Sequence, residues 1–321
     1  MSTPSSDFAE MNFEALGTRC HVIFYGTAYA NNKLARDLVL SEIERYDAIF
    51  SVYRSDSEIT RVNVSNSQTL TTSRDFAELT ALYIEKYRSS NGLVDPTKGF
   101  ELIELYRSSN PLVAMGQESH FFRSVNFGEF SVKLTPHSDT GQIRRPVGAF
   151  VDFGGLGKAW IADRVANLLI TEYGGGVLVN LGGDIATDGQ VPPDGWTIKV
   201  TDDFSLDATA PGWSVRIFGG GLATSSTATR RWRDSSGNER LHVVGENIEK
   251  STIVTVTAVG VCAFEANYQS LSALVAGDGA VPWLMRSKTP SLVRTLDGRG
   301  LAVSGWPTTG EITKDDLIGA N

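Results

Sequence analysis

The chain is poor in several features that would fix its class early. It has two cysteines in 321 residues, Cys20 and Cys262, far apart and each in an apolar run. Two such cysteines read as buried apolar fillers rather than as a disulfide or a metal pair. No apolar stretch approaches the ~18 residues of a membrane span. The opening residues, Met1-Ser2-Thr3-Pro4-Ser5-Ser6-Asp7, hold neither a basic region nor an apolar core. No secretion signal is visible, and a cytoplasmic protein is expected. Positive charge is in deficit, with 29 Lys and Arg against 37 Asp and Glu and a net charge of −8. This argues against nucleic acid or an anionic membrane as the main partner. An anionic ligand would need a local cationic or metal site. Linkers, low-complexity tracts and clear internal repeats are missing too.

What is present is ordinary globular composition, 41% hydrophobic and 21% charged, with length enough for a sizeable core. The 32 glycines are somewhat many, which fits a turn-rich fold with backbone close to a ligand. Residues from about 12 to 25 read as a strand. A helix follows over about 33–49, striped by Leu34, Leu38, Ile43, Tyr46 and Phe50. Ser73 is a plausible N-cap for a second helix that buries Phe76, Leu79, Tyr83 and Tyr87. Residues 107–150, with Pro111, Pro136 and Pro146, are the least readable, with short alternating segments such as Phe130–Leu134. Further strands are expected at Val177–Asn180, Trp196–Val200, Trp213–Ile217, Thr252–Val261, Leu292–Thr295 and Leu301–Ser304, and a helix at about 266–276. Without a regular βαβ rhythm, the reading is a mixed α+β single domain over 12–321, behind a disordered tail at 1–11.

Two stretches carry the chemistry. Val151-Asp152-Phe153-Gly154-Gly155-Leu156-Gly157-Lys158-Ala159-Trp160 leads into an amphipathic helix with Ile161, Val165, Leu168 and Leu169 on one face. Val177-Leu178-Val179-Asn180-Leu181-Gly182-Gly183-Asp184 follows it. Lys158 falls in the first helical turn, where a cation opposes the helix dipole unless something anionic lies beside it. Glycines there let backbone N–H groups approach a ligand, and a helix N-terminus favours phosphate. One such motif is commonly an ordinary helix start with a solvated lysine; two bracketing one helix point to a phosphate site.

The order of motifs resembles that of the ApbE-type flavin transferases, the FAD:protein FMN transferases. Phe13-Glu14-Ala15-Leu16-Gly17-Thr18 is similar to the family's opening strand with its Met-Gly-Thr. Phe50-Ser51-Val52-Tyr53 through Ser57-Glu58-Ile59 to Asn63 resembles its FS-x-Y and SEI-x-x-x-N segment, and Gly92-Leu93-Val94-Asp95-Pro96-Thr97 its DPT turn. Ala223-Thr224-Ser225, His242 and the helix from Glu265 to Gly277 follow in family order. The resemblance spans about residues 12–306. It implies mixed sheets with packed helices and a flavin nucleotide in a central cleft.

The same resemblance implies site residues. Leu16, at the methionine position, Tyr53, Asp95, Lys158, Thr224 and Ser225 are expected to contact the nucleotide. Asp95 is equally ordinary turn chemistry, and Tyr53 equally a core tyrosine. His242 is the candidate general base and Asp184 a second candidate for polar work, although it is also placed to cap a turn. Mg²⁺ is expected on the Gly157 carbonyl and on Asn267, which stands where the family has aspartate. Leu271 replaces the metal-binding threonine, with Glu265, Ser270 or Ser272 as possible substitutes. Ser226 replaces a glycine, and Glu246 is the nearest acid to a missing Asp-Pro after His242. The expected activity is transfer of FMN from FAD to a Ser or Thr of an acceptor redox protein carrying a flavinylation motif, with release of AMP. A flavin-nucleotide binder that has lost transfer, and a metal-dependent FAD pyrophosphatase, are the alternatives. No Ser/Thr-Gly-Ala-Ser/Thr motif occurs in the chain, so self-modification is not expected.

Overall fold

Alternation in the opening residues folds them back on themselves. β1 (Phe8–Ala15) and β2 (Thr18–Tyr25) pair antiparallel, Ala15 opposite Thr18, with only Leu16 and Gly17 between them. Both turn residues have positive φ, 53° and 67°, the geometry whose twist matches a two-residue hairpin. The single strand expected over 12–25 is therefore two, and Phe8–Met11 of the expected tail are strand. The structure is a computed structural model describing residues 7–26, 33–201, 213–228, 231–306 and 311–312. The expected tail residues 1–6 lie outside those described.

The chain continues through α1 (Lys33–Phe50), α2 (Glu58–Asn63), β3 (Thr69–Ser73) and α3 (Arg74–Ser89). A 3-10 turn at Pro96–Leu102 leads to α4 (Ile103–Arg107) and α5 (Pro111–Glu118), then β4 (Ser131–Leu134) and β5 (Thr140–Arg144). After α6 (Gly154–Tyr173) come β6 (Gly176–Leu181), β7 (Asp184–Gly189), β8 (Trp196–Val200), β9 (Trp213–Ile217) and β10 (Gly220–Ser226). The hairpin β11 (Arg231–Arg233) and β12 (Glu239–Leu241) precedes β13 (Ile253–Gly260) and α7 (Ala263–Ala276). The described chain closes with α8 (Ala280–Arg286), β14 (Ser291–Thr295), β15 (Gly300–Val303) and β16 (Glu311–Ile312). This is the expected α+β class. Among the described residues, no helix is long and apolar enough to cross a membrane.

The elements gather into two compact units. The first comprises Met1–Ile43, Lys158–Thr229 and Asn247–Asn321, the second Glu44–Gly157 and Arg230–Glu246. In the first, an antiparallel sheet runs β1-β2-β6-β7-β10-β13-β14-β15. One face buries Leu178, Ile185, Leu222, Val259 and Leu292 against Trp196, Ile198, Val215 and Ile217 of the β8–β9 pair. α7 packs on β10 and β13. Its backbone comes so close that Gly221 and Gly260, cross-strand partners, have no room for a Cβ beside Ala263 and Ala266. Along α6, Ile161, Val165 and Leu169 are buried as the periodicity requires, and Leu168 is half-buried.

In the second unit a small sheet runs β3-β5-β4, with α3 packed on it. Ser73 caps α3 by accepting from the Phe76 N–H, and Glu58 accepts from the Ser73 N–H in turn. Phe76 stacks on Phe50 and Tyr83 on Phe153, with ring centroids 5.7 and 4.8 Å apart. Residues 107–150 fail to read as elements because their signals are local caps rather than periodicity. Asn110 caps α5 by accepting from the Leu112 and Val113 N–H groups, with Pro111 as its first residue.

Candidate functional site

The first turn of α6 is built by side chains distant in sequence. Asp152 accepts from the Gly154 N–H at 2.7 Å, and its other oxygen accepts from the Tyr106 hydroxyl at 2.5 Å. The Tyr83 hydroxyl accepts from the Leu156 N–H at 2.7 Å and donates to the Phe153 carbonyl at 2.9 Å. Gly157 N–H donates to Phe153 as the first helical bond. The side chain of Asn63 pairs with both the N–H and the carbonyl of Val151, each at 2.9 Å. The helix-terminal donors of Gly154, Leu156 and Gly157, expected to face a phosphate, thus already have partners, and a carboxylate occupies the positive end of the dipole. Gly157 has a packing reason as well, since a Cβ there would collide with the Tyr46 hydroxyl.

The second glycine stretch is a hairpin tip. Leu181 pairs with Asp184, and the two residues between, Gly182 and Gly183, have φ of 69° and 95°. Asn180 accepts from the Gly183 N–H with its side chain at 2.9 Å. β2 and β6 are neighbours with Cys20 opposite Leu181, so the Leu16-Gly17 tip lies at the same end of the sheet. Ala223 on β10 pairs with Asp184, and the Thr224 N–H donates to the Gly183 carbonyl. Into this end Lys158 extends its ammonium, 2.8 Å from the Asp184 carboxylate, their side chains 18% and 4% exposed. The ion pair fixes the Lys158 ammonium at this end of the sheet. Burial pushes the nearby Cys20 thiol up to about 11, which keeps it inert.

Strand alternation separates two residues expected to act together. Thr224 hydrogen-bonds Thr257 at 2.9 Å on the face of Leu222, whereas Ser225 turns to α7 and hydrogen-bonds Ser270 at 2.9 Å. Ser226 returns to the first face and bonds Thr255 at 2.8 Å. Asn267 lies on α7 one turn before Ser270 and is buried. Leu16, Lys158, Asp184, Thr224, Ser225 and Asn267 all belong to the first unit.

Tyr53, Asp95, Gly157 and His242 belong to the second. Tyr53 is 47% exposed and stands edge-on against Tyr106, centroids 5.1 Å apart, so it is not a core tyrosine. Asp95 caps the 3-10 turn by accepting from the Thr97 N–H and hydroxyl at 2.8 and 2.6 Å. Burial holds its carboxyl above the usual range. His242 lies half-buried just beyond β12. The hairpin it follows is tied down where Glu104 accepts from the Ser235 N–H at 2.6 Å.

The donor set for a divalent cation is thin. Asn267 offers one neutral oxygen on α7, Leu271 none, the Ser270 hydroxyl is engaged with Ser225, and the Ser272 side chain is fully buried. Glu265, half-buried in the first turn of α7, is the one acid on that helix, while Asp163 and Asp184 are committed to backbone N–H groups and to Lys158. Among the described residues, no group of three or more His, Cys, Asp or Glu is placed to hold a metal. Magnesium prefers carboxylate and water oxygens in octahedral array, so the α7 residues do not by themselves fit a tightly held ion.

Sequence reasoning missed Asp152, Tyr83, Asn63, Tyr106 and Asp163 as organisers of these turns. The available signals were an acid inside an apolar helix and a tyrosine where phenylalanine would pack as well.

Fold and side chains together define an α+β protein with an enclosed charge pair at one sheet end. Residues 16–293 match the ApbE family, and the chain belongs to that family. It is 21% identical to an FAD:protein FMN transferase of Klebsiella pneumoniae (strain 342), over 89% of this chain and 84% of the relative. It is 22% identical to an FAD:protein FMN transferase of Escherichia coli (strain K12), over 86% and 80%. Its fold is similar to the crystal structure of the ApbE protein of Thermotoga maritima, with a TM-score of 0.72 at 18% identity, covering 92% of this chain and 97% of that one. The flavin transferase ApbE of Vibrio cholerae superposes with a TM-score of 0.70 at 18% identity, covering 94% and 99%.

Proposed function

We propose that this chain is an FAD:protein FMN transferase, moving FMN from FAD to a Ser or Thr hydroxyl of an acceptor redox protein and releasing AMP. Family membership and the names of its curated relatives support the reading. The observation that carries it is the Lys158–Asp184 pair, a cation held at one end of the main sheet in a chain of net charge −8. In the reaction the acceptor oxygen attacks the phosphorus of the FMN half. A new ester bond forms there, the bridging bond to AMP breaks, and the hydroxyl proton passes to a base. Such displacements depend on alignment and charge neutralisation more than on covalent help.

In this reading Lys158 meets the diphosphate and Asp184 holds its ammonium in place. With Asp184 engaged by Lys158, His242 takes the hydroxyl proton in this reading. Leu16, Tyr53, Asp95, Thr224 and Ser225 contact the nucleotide, and residues 12–321 act as one catalytic domain. Asn267 and the Gly157 carbonyl are the protein oxygens that would hold a magnesium ion, whose charge would help neutralise the diphosphate.

The test is incubation with FAD, with and without Mg²⁺, and a peptide carrying a Ser/Thr-Gly-Ala-Ser/Thr motif, followed by intact mass and AMP assay. The expected result is a peptide heavier by FMN less one water, with equal AMP. AMP without adduct makes the chain an FAD pyrophosphatase. Tight FAD binding with neither product makes it a binding protein.

A further inference from the structure

Asp163 lies on α6 five residues beyond Lys158, and the proposed chemistry leaves it unused. Its two carboxylate oxygens accept from the backbone N–H groups of Ala263 and Phe264, at 2.8 and 2.9 Å. These are the first two N–H groups of α7. Cys262, in the N-cap position, makes no side-chain cap, and its thiol donates to Asp163 instead. The positive end of α7 is therefore served by a carboxylate from another helix. The two helices it joins carry different halves of the candidate site. α6 holds Lys158 against Asp184. α7 holds Asn267, and Ser270 with its bond to Ser225.

We infer that Asp163 is a positioning residue, whose carboxylate keeps α7 in register with α6 so that Asn267 and Ser270 are presented correctly relative to Lys158. The inference rests on the FMN transferase reading of that site. Its electrostatic setting makes it testable by pH. Burial raises the Asp163 carboxyl to about 6, opposed by the bonds from Phe264, Ala263 and Cys262. The groups around it are Cys262, whose thiol burial pushes up to about 12, Asp184 on β7, paired with Lys158, and Glu265 in the first turn of α7. A folded value above the ordinary 3.8 means the folded state favours the protonated acid. The stability contributed by this group is then full below pH about 4 and is lost as pH rises through about 6. The charge-assisted cap on α7 gains over the same interval, so global stability and the order of this helix move oppositely with pH.

The experiment is FAD titration of the full chain between pH 5 and 8, wild type beside Asp163→Asn, with unfolding and α7 hydrogen exchange measured on both. Wild-type affinity should fall about tenfold as pH drops through about 6, the size of a lost cap. The folded variant should bind about tenfold more weakly throughout, with a flat profile and faster exchange at Ala263 and Phe264. A folded variant with wild-type affinity and profile overturns the proposal. So does wild-type binding that is flat across pH 5–7, which decides the matter even if the variant fails to fold. Wild type that binds no FAD at pH 8 sinks the transferase reading itself, and this proposal with it.

Discussion

The glycine turns at Gly154–Gly157 and Gly182-Gly183 look alike in sequence and differ in what their backbones do. At the first, the N–H groups of Gly154, Leu156 and Gly157 are taken by Asp152, Tyr83 and Phe153, and Gly157 leaves room for Tyr46. At the second, two residues of positive φ close a hairpin, and the Gly183 N–H is taken by Asn180. Each turn is explained by backbone shape. The charge comes from the residue that follows each one, Lys158 and Asp184, and these pair with each other. Glycine spacing thus reports conformation, and the adjoining side chain reports the chemistry.

The sharpest way to break this contrast is to remove the pair. Lys158→Ala leaves Asp184 enclosed without its cation, and urea unfolding should show a loss of about 3 kcal/mol. The double variant Lys158→Met/Asp184→Leu should regain most of that stability and lose FAD binding. If the double variant binds FAD like the parent, the second turn is as purely structural as the first. A smaller effect tests the first turn. Tyr83→Phe strands the Leu156 N–H, which should cost about 2 kcal/mol in the same assay, while the Phe153 carbonyl keeps its bond from Gly157. FAD affinity should stay within about twofold, because these donors serve the scaffold. A large fall in affinity would return the helix start to the binding site. The smallest effect is at the other hairpin tip. Leu16 holds φ of 53°, a strain of roughly 1–2 kcal/mol that glycine relieves at some cost in chain entropy. Leu16→Gly should therefore raise stability by about 0.5 kcal/mol, seen as a small rise in Tm, and weaken FAD binding. Unchanged affinity would remove Leu16 from the nucleotide contacts.

Several periodic segments were legible nearly to the residue, whereas on α1 the buried stripe is Ala35, Val39, Ile43, Tyr46 and Phe50, with the expected Leu34 exposed. Trp196–Val200 and Trp213–Ile217 coincide with β8 and β9, and Ser73 caps α3 as its sequence suggests. The β1–β2 hairpin was hidden because leucine is a poor marker of a turn with positive φ. β7 was hidden because Gly182-Gly183 read as a ligand loop rather than as the turn that starts a strand. Within the candidate site, the charged residues stand out in the sequence, and the residues that hold them do not. Tyr83 bonds across 70 residues to Phe153, and Asn63 across 88 to Val151, distances at which no local pattern operates. The opposed faces of Thr224 and Ser225 follow from simple alternation once β10 is recognised as a strand.

β2 and β6 lie side by side in the sheet, yet about 150 residues separate them, including the long first segment of the second unit. During synthesis, at roughly 5–20 residues per second, the opening hairpin precedes its partner strand by on the order of 10–30 s. Through that interval β2 has an open edge, while α3 and the β3–β5 sheet are complete and free to fold. The order of emergence from the ribosome thus favours the first segment of the second unit, and the sheet that carries Asp184 closes later.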